Sequence, residues 1–184
     1  MADPELSEVF RKIGRNVVSF QKLEGLLKYL AAAPNYKAST LDEIQEARDK
    51  HISGLRKKSF GLTVQDFFND VYPEASANEE EDEELFAFNF RIRGGDRERL
   101  LTAIQRVVEE RNELVHTRLT SFDSESAQYR AELATFLDQQ FERLKPVYEE
   151  IDQLVQAMRI VRKETVKQLD ELIASRGDAG KAPD

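Results

Sequence analysis

The chain has 184 residues, a formal net charge of -8 and no cysteine, so a disulfide framework, a thiolate metal site and a catalytic thiol are all excluded. Its length suits one domain with its own core, and 34% charged residues beside five prolines and eight glycines is the composition of long exposed helices. The acidic balance argues against a broad nucleic-acid coat, the lack of cysteine points to a cytoplasmic protein, and no eighteen-residue apolar run offers a membrane span.

Asp3, Glu5 and Glu8 stand where a secretory leader would need basic residues and then an apolar run, so no leader is expected. Over 6–33 the residues Val9, Ile13, Val17, Phe20, Leu23, Leu27 and Leu30 recur at steps of three and four, which predicts a helix ended by Pro34. Thr40 and Glu43 form a capping box for a second helix reaching about residue 55, with Leu41, Ile44, Ala47, His51 and Leu55 on one face. A short third helix over 63–72 is expected to stop at Pro73, because the residue before a proline is biased out of the helical region. Glu74 and the acidic run over 79–84 repel one another and are expected to be solvated and disordered.

Phe86, Phe88, Phe90 and Ile92 then alternate with Ala87, Asn89, Arg91 and Arg93, the period of a half-buried strand over 85–93. No other segment reads as its partner, so the strand is expected to project as an arm and pair with its symmetry copy or lie over another protomer. Asp96 is a plausible N-cap for a fourth helix whose inner stripe is Leu101, Ile104, Val108, Val115 and Leu119. A final helix is expected over 125–174, kinked or split at Pro146. Within it Val147, Ile151, Leu154, Met158, Val161, Thr165, Leu169 and Leu172 make a coiled-coil-like seam, open to the first helix or to another chain. The organisation is therefore all-α: one up-and-down helical domain over 1–174, with 73–95 as an acidic loop and strand insertion and 175–184 as a disordered tail.

Chemistry concentrates late in the fourth helix, in Arg111-Asn112-Glu113-Leu114-Val115-His116. Residues four apart share a helical face, so Asn112 sits one turn from His116, and the long Arg111 side chain can swing alongside. On the expected stripe Asn112 interrupts the apolar row and His116 borders it, and polar groups so placed need partners. Their partners may be sought in another helix, a second copy or a substrate.

This stretch resembles the signature of the HEPN superfamily, helical bundles with an arginine, often followed by asparagine, and a histidine four to six residues on. Arg111, Asn112 and His116 match, and the likeness runs from the first helix, with Phe20-Gln21-Lys22-Leu23-Glu24, into the early final helix. The resemblance implies a metal-independent endoribonuclease of toxin-antitoxin or antiphage-defence type, without cofactor, working as a homodimer whose two motifs face one another. An RNA substrate and a cognate antitoxin or other protein partner come with it. In that chemistry His116 would move a proton, Arg111 would stabilise phosphate charge, and Asn112 would orient the histidine or hold a phosphate oxygen. Some members carry a tyrosine two residues after the histidine; Arg118 stands there, so control through that tyrosine is not expected.

Other readings stay open beside these. A non-catalytic helical dimerisation or interaction module would use the same residues as interface groups. Glu24 could orient the motif or pair with Lys28, and His51 reads as a packed structural histidine. Seven arginines against five acids lie between residues 91 and 118, so Arg91, Arg93, Arg106 and Arg118 are candidate RNA contacts or simply solvated charges.

Overall fold

The computed structural model describes residues 3–32, 36–38, 41–74, 86–88 and 91–179. Five helices dominate. α1 spans Pro4–Ala31, α2 Leu41–Arg56, α3 Phe60–Asp66, α4 Arg97–Glu113 and α5 Ala127–Ala179. None is long and apolar enough to cross a membrane among the described residues.

α1 begins where Asp3 accepts the Glu5 N–H at 2.9 Å and Pro4 takes a position whose missing N–H costs nothing. Its buried face holds Val9, Phe20, Leu23, Leu27 and Leu30, and it also holds Asn16, which the apolar period did not mark. α2 carries His51, whose Nε2–H donates to the Ala31 carbonyl at 3.0 Å and so ties the end of α1 to α2. The Thr40 capping box and the acidic run lie outside the described residues.

α3 starts three residues before the expected position, because Ser59 accepts the Leu62 N–H and caps it. It continues into a π turn, Phe67–Val71, closed by the Tyr72 N–H on the Phe67 carbonyl at 3.0 Å. Phe67, Phe68 and Tyr72 pack ring against ring there. The Tyr72 hydroxyl donates to the Gly94 carbonyl and the Arg97 Nε–H to the Tyr72 carbonyl, fixing the start of α4 on the end of the π turn. Gly95 has φ +80°, and a Cβ there would lie 2.9 Å from the Tyr72 hydroxyl, so this turn takes glycine for conformation and for room.

The expected arm is corrected in two respects. Phe86–Phe88 (β2) pairs antiparallel with Tyr36–Ala38 (β1) of the same chain, Tyr36 opposite Phe88. Three residues between α1 and α2 are too few to display a two-residue period, so the partner escaped the pattern. Residues 91–93 are not in the ladder; the Ile92 N–H instead bonds the Val71 carbonyl at 2.7 Å.

α4 is capped by Asp96, which accepts the Arg99 N–H at 2.9 Å, as its sequence suggests. α5 runs unbroken through Pro146, whose exposed position lets the lost hydrogen bond face solvent. It also continues to Ala179, so 175–179 are helical rather than part of a disordered tail; residues 180–184 lie outside the description.

α1 and α5 run in the same sense. Asp3 meets Arg130, Lys12 and Arg15 meet Asp138, and Tyr29 meets Arg159, so the numbers rise together. α4 runs the opposite way, pairing Arg99 with Glu150 and laying Arg118 over Phe136. Leu23, Leu27, Leu30, Phe67, Ile104, Leu114, Leu137 and Ile151 fill the core between them. The α5 seam therefore turns inward through Val147, Ile151 and Met158, while Val161 beyond them is half exposed.

Candidate active site at the end of the fourth helix

The inner stripe of α4 keeps Ile104 from the expected row but is otherwise shifted toward the preceding residues. Leu100, Ile104, Val107, Glu110 and Leu114 are buried, whereas Leu101 and Val108 are only partly covered and Asn112 is exposed. Leu100 and Leu101 are both apolar and both satisfy a three-four period, so burial alone separates the two phases. Glu110, not Asn112, is the polar residue that interrupts the apolar row.

That carboxylate is held by a network reaching across three helices. Arg143 donates to Glu110 through Nε, and Arg106 approaches the same oxygen at 3.3 Å. Gln140 Nε2 donates to the Glu110 carbonyl at 2.9 Å, and Asn16 Nδ2 donates to Gln140 Oε1 at 2.9 Å and to the Leu137 carbonyl at 2.8 Å. Arg15 closes the chain on Asn16 Oδ1 and on Asp138. Lys12 binds Asp138 at 2.5 Å, and its hydrogen bond foremost holds that carboxyl below the usual range. Asn16 and Gln140 are wholly buried, so each must be satisfied by the other elements, and together they pin the backbone of α4 one residue before Arg111.

Immediately after Glu113 the helix changes to a π turn, Leu114–Arg118, closed by the Leu119 N–H on the Leu114 carbonyl at 2.9 Å. A π turn takes more residues per revolution, so it swings His116 back toward the side that carries Asn112 one turn earlier. Beyond it Thr120 Oγ1 donates to the His116 carbonyl at 2.8 Å and Ser121 Oγ to the Thr117 carbonyl at 2.8 Å. The Thr117 carbonyl also accepts the Ser121 N–H at 3.2 Å, so these hydroxyls reinforce the helix end.

On this frame Arg111 is half buried and donates through Nη1 to Asn112 Oδ1 at 3.0 Å. Asn112 and His116 are exposed, and among the described residues the His116 ring has no hydrogen bond or ion pair. The structure thus joins Arg111 to Asn112 and leaves the imidazole open to solvent one turn on. No family model, curated protein or solved structure matches this chain. Among the described residues the protein is helical, with five helices beside the one short β1–β2 ladder, and no family is assigned.

The other candidate residues are more scattered. Arg118 pairs with Glu113 at 2.9 Å and lies over the Phe136 ring at 4.7 Å. Arg106 is tied to Glu110, Arg91 is half buried, and Arg93 is exposed at the start of the segment leading to α4. Arg93 and Arg118 bracket α4 and its π turn, which together are about 30 Å long at 1.5 Å per residue, so these arginines do not form one patch. Glu24 pairs with Lys28 at 2.7 Å. Among the described residues no three His, Asp or Glu side chains gather as metal ligands would. The buried Asn16, Gln140 and Glu110 were missed by the sequence reading; a polar residue at the inner phase of three separate helices was their only signal.

Proposed function

We propose that this chain is a metal-independent endoribonuclease whose active site is completed by a second copy. The observation that carries the reading is the open imidazole of His116 on a π turn, one turn from the Arg111–Asn112 pair. An exposed histidine can take and return a proton near neutral pH. In the reaction the RNA 2′-hydroxyl loses its proton to an imidazole and attacks the adjacent phosphorus. The bond to the 5′-oxygen breaks, that oxygen gains a proton, and a 2′,3′-cyclic phosphate remains. Arg111 offers unused guanidinium N–H groups to the phosphate oxygens as charge builds on them, while Asn112 holds the guanidinium plane.

One copy contributes one imidazole at this place, and the attack and the departure each need a proton carrier. Two copies related by a two-fold axis, with their α4 ends facing, supply both. The expected result is cleavage of total RNA in EDTA by the wild type, with His116→Ala and Arg111→Ala each lowering the rate by 10² or more and leaving helical circular dichroism unchanged. Equal cleavage by all three proteins, or a strict monomer that still cuts, would overturn the reading.

A second reading, a non-catalytic helical interaction module, is favoured by one feature. Past Met158, residues 159–164 of α5 are all exposed, with Ile160 at 70% and Val161 at 50%. An RNA-inactive wild type that forms stable complexes through this end of α5 would place the chain in that class.

A further inference from the structure

Three aromatic rings make a short strip at the end of the bundle that carries His116. Phe10 of α1 meets Phe122 edge-on with centroids 5.8 Å apart, and Phe122 meets Tyr129 of α5 at 6.0 Å. Phe10 is 53% exposed, while Phe122 and Tyr129 are partly buried beneath it. Phe10 is braced by a second ring and still leaves about half of its surface in water, unlike a core residue.

Hydrogen bonds join this strip to the candidate site. The Tyr129 hydroxyl donates to the Arg118 carbonyl at 3.2 Å and lies 3.0 Å from Ser121 Oγ. Ser121 Oγ in turn donates to the carbonyl of Thr117, the residue after His116. The acids on this part of α1 are partly offset by cations: Glu8 binds Arg11 at 2.6 Å, and Asp3 and Glu5 share Arg130 at 3.4 and 3.6 Å.

We propose that Phe10, supported by Phe122 and Tyr129, is a stacking platform for an unpaired base of single-stranded RNA whose backbone runs past Arg111 and His116. The inference rests on the nuclease reading. A base fits the strip better than a protein does, since one exposed ring presents an area suited to one base, whereas a stable protein interface buries more than about 1,000 Å². A base on this platform would be unstacked from its neighbours, so the strand rather than the duplex is the substrate.

The test uses His116→Ala protein, which binds without cutting, and a short labelled oligoribonucleotide offered as single strand and as duplex. Phe10→Leu added to it removes the ring but keeps an apolar side chain, and is expected to weaken single-strand binding about tenfold. Phe10→Trp keeps the stacking surface and adds the only indole of the chain, so it should retain affinity and lose indole fluorescence when the strand binds. Unchanged affinity in Phe10→Leu, or an indole that does not respond to saturating RNA, would overturn the platform while leaving the nuclease reading intact. Should Phe10→Leu instead split a dimer without altering RNA affinity, the strip is a contact between copies and the proposal falls. No binding of either RNA by His116→Ala, together with no cleavage by the wild type, would remove the nuclease reading and the platform together.

Discussion

Asp70 and Asp138 carry the same side chain under opposite pressures. Asp70 sits in the first π turn, where burial foremost, and then the neighbouring Asp66, push its carboxyl above the usual range. A carboxyl raised in the folded state opposes folding when ionised; that cost is full above its folded pKa and disappears as pH falls below the unfolded value. Asp70→Asn should therefore raise Tm at pH 7 by a small amount, under about 4 °C, with the difference closing on acidification. A lower Tm for the variant at pH 7 would mean that the carboxylate makes a compensating contact. Asp138 is the reverse case: held low by Lys12 and Arg15, its contribution is present above the ordinary carboxylate range and is lost as pH falls through its depressed value. Neither behaviour was legible in the sequence, because Asp70 answers to its burial and to Asp66, and Asp138 to the cations that α1 brings alongside. The same holds for Asn16 and Gln140, more than 120 residues apart and satisfied by each other.

Among the elements, α4 shows how far a period can be read and where it stops. Asp96, the helix and the motif near its end were all readable from residue types at fixed offsets. Its inner face was not, because two adjacent leucines allow two phases and the deciding residue, Glu110, is charged. The π turn was invisible too, since an extra residue within a helix leaves no change in composition. Deleting Thr117, an exposed residue of that turn, should return the segment to α-helical winding and carry His116 away from its present place relative to Asn112. On the nuclease reading the deletion variant keeps its helical signal and melts within a few degrees of the parent, yet loses RNA cleavage. Full cleavage by this variant would show that the π turn does not position the imidazole.

At the scale of the whole molecule the all-α architecture was legible, whereas the packing of α1 on α5 in the same sense was not, because periodicity marks faces and says nothing of direction. α5 is about 80 Å long and α1 about 42 Å, at 1.5 Å per residue, so the distal part of α5 outreaches its partner. Met158 is its last buried side chain among the described residues, and truncation after Glu164 should leave Tm within a few degrees of the full chain. A collapse of the melting transition would place an uncovered stabilising contact beyond that point. The shared direction of α1 and α5 has its own consequence for how the protein is made. Asn16 is completed by Leu137 and Gln140, so the apolar face of α1 waits for more than 120 further residues before its main partner exists. At translation rates of roughly 5–20 residues per second, that partner is missing for on the order of ten seconds on every ribosome, while α3 and its π turn can shelter only part of the face. Through that interval the nascent chain carries an apolar helix only partly covered, and folding can finish only when the last helix has emerged.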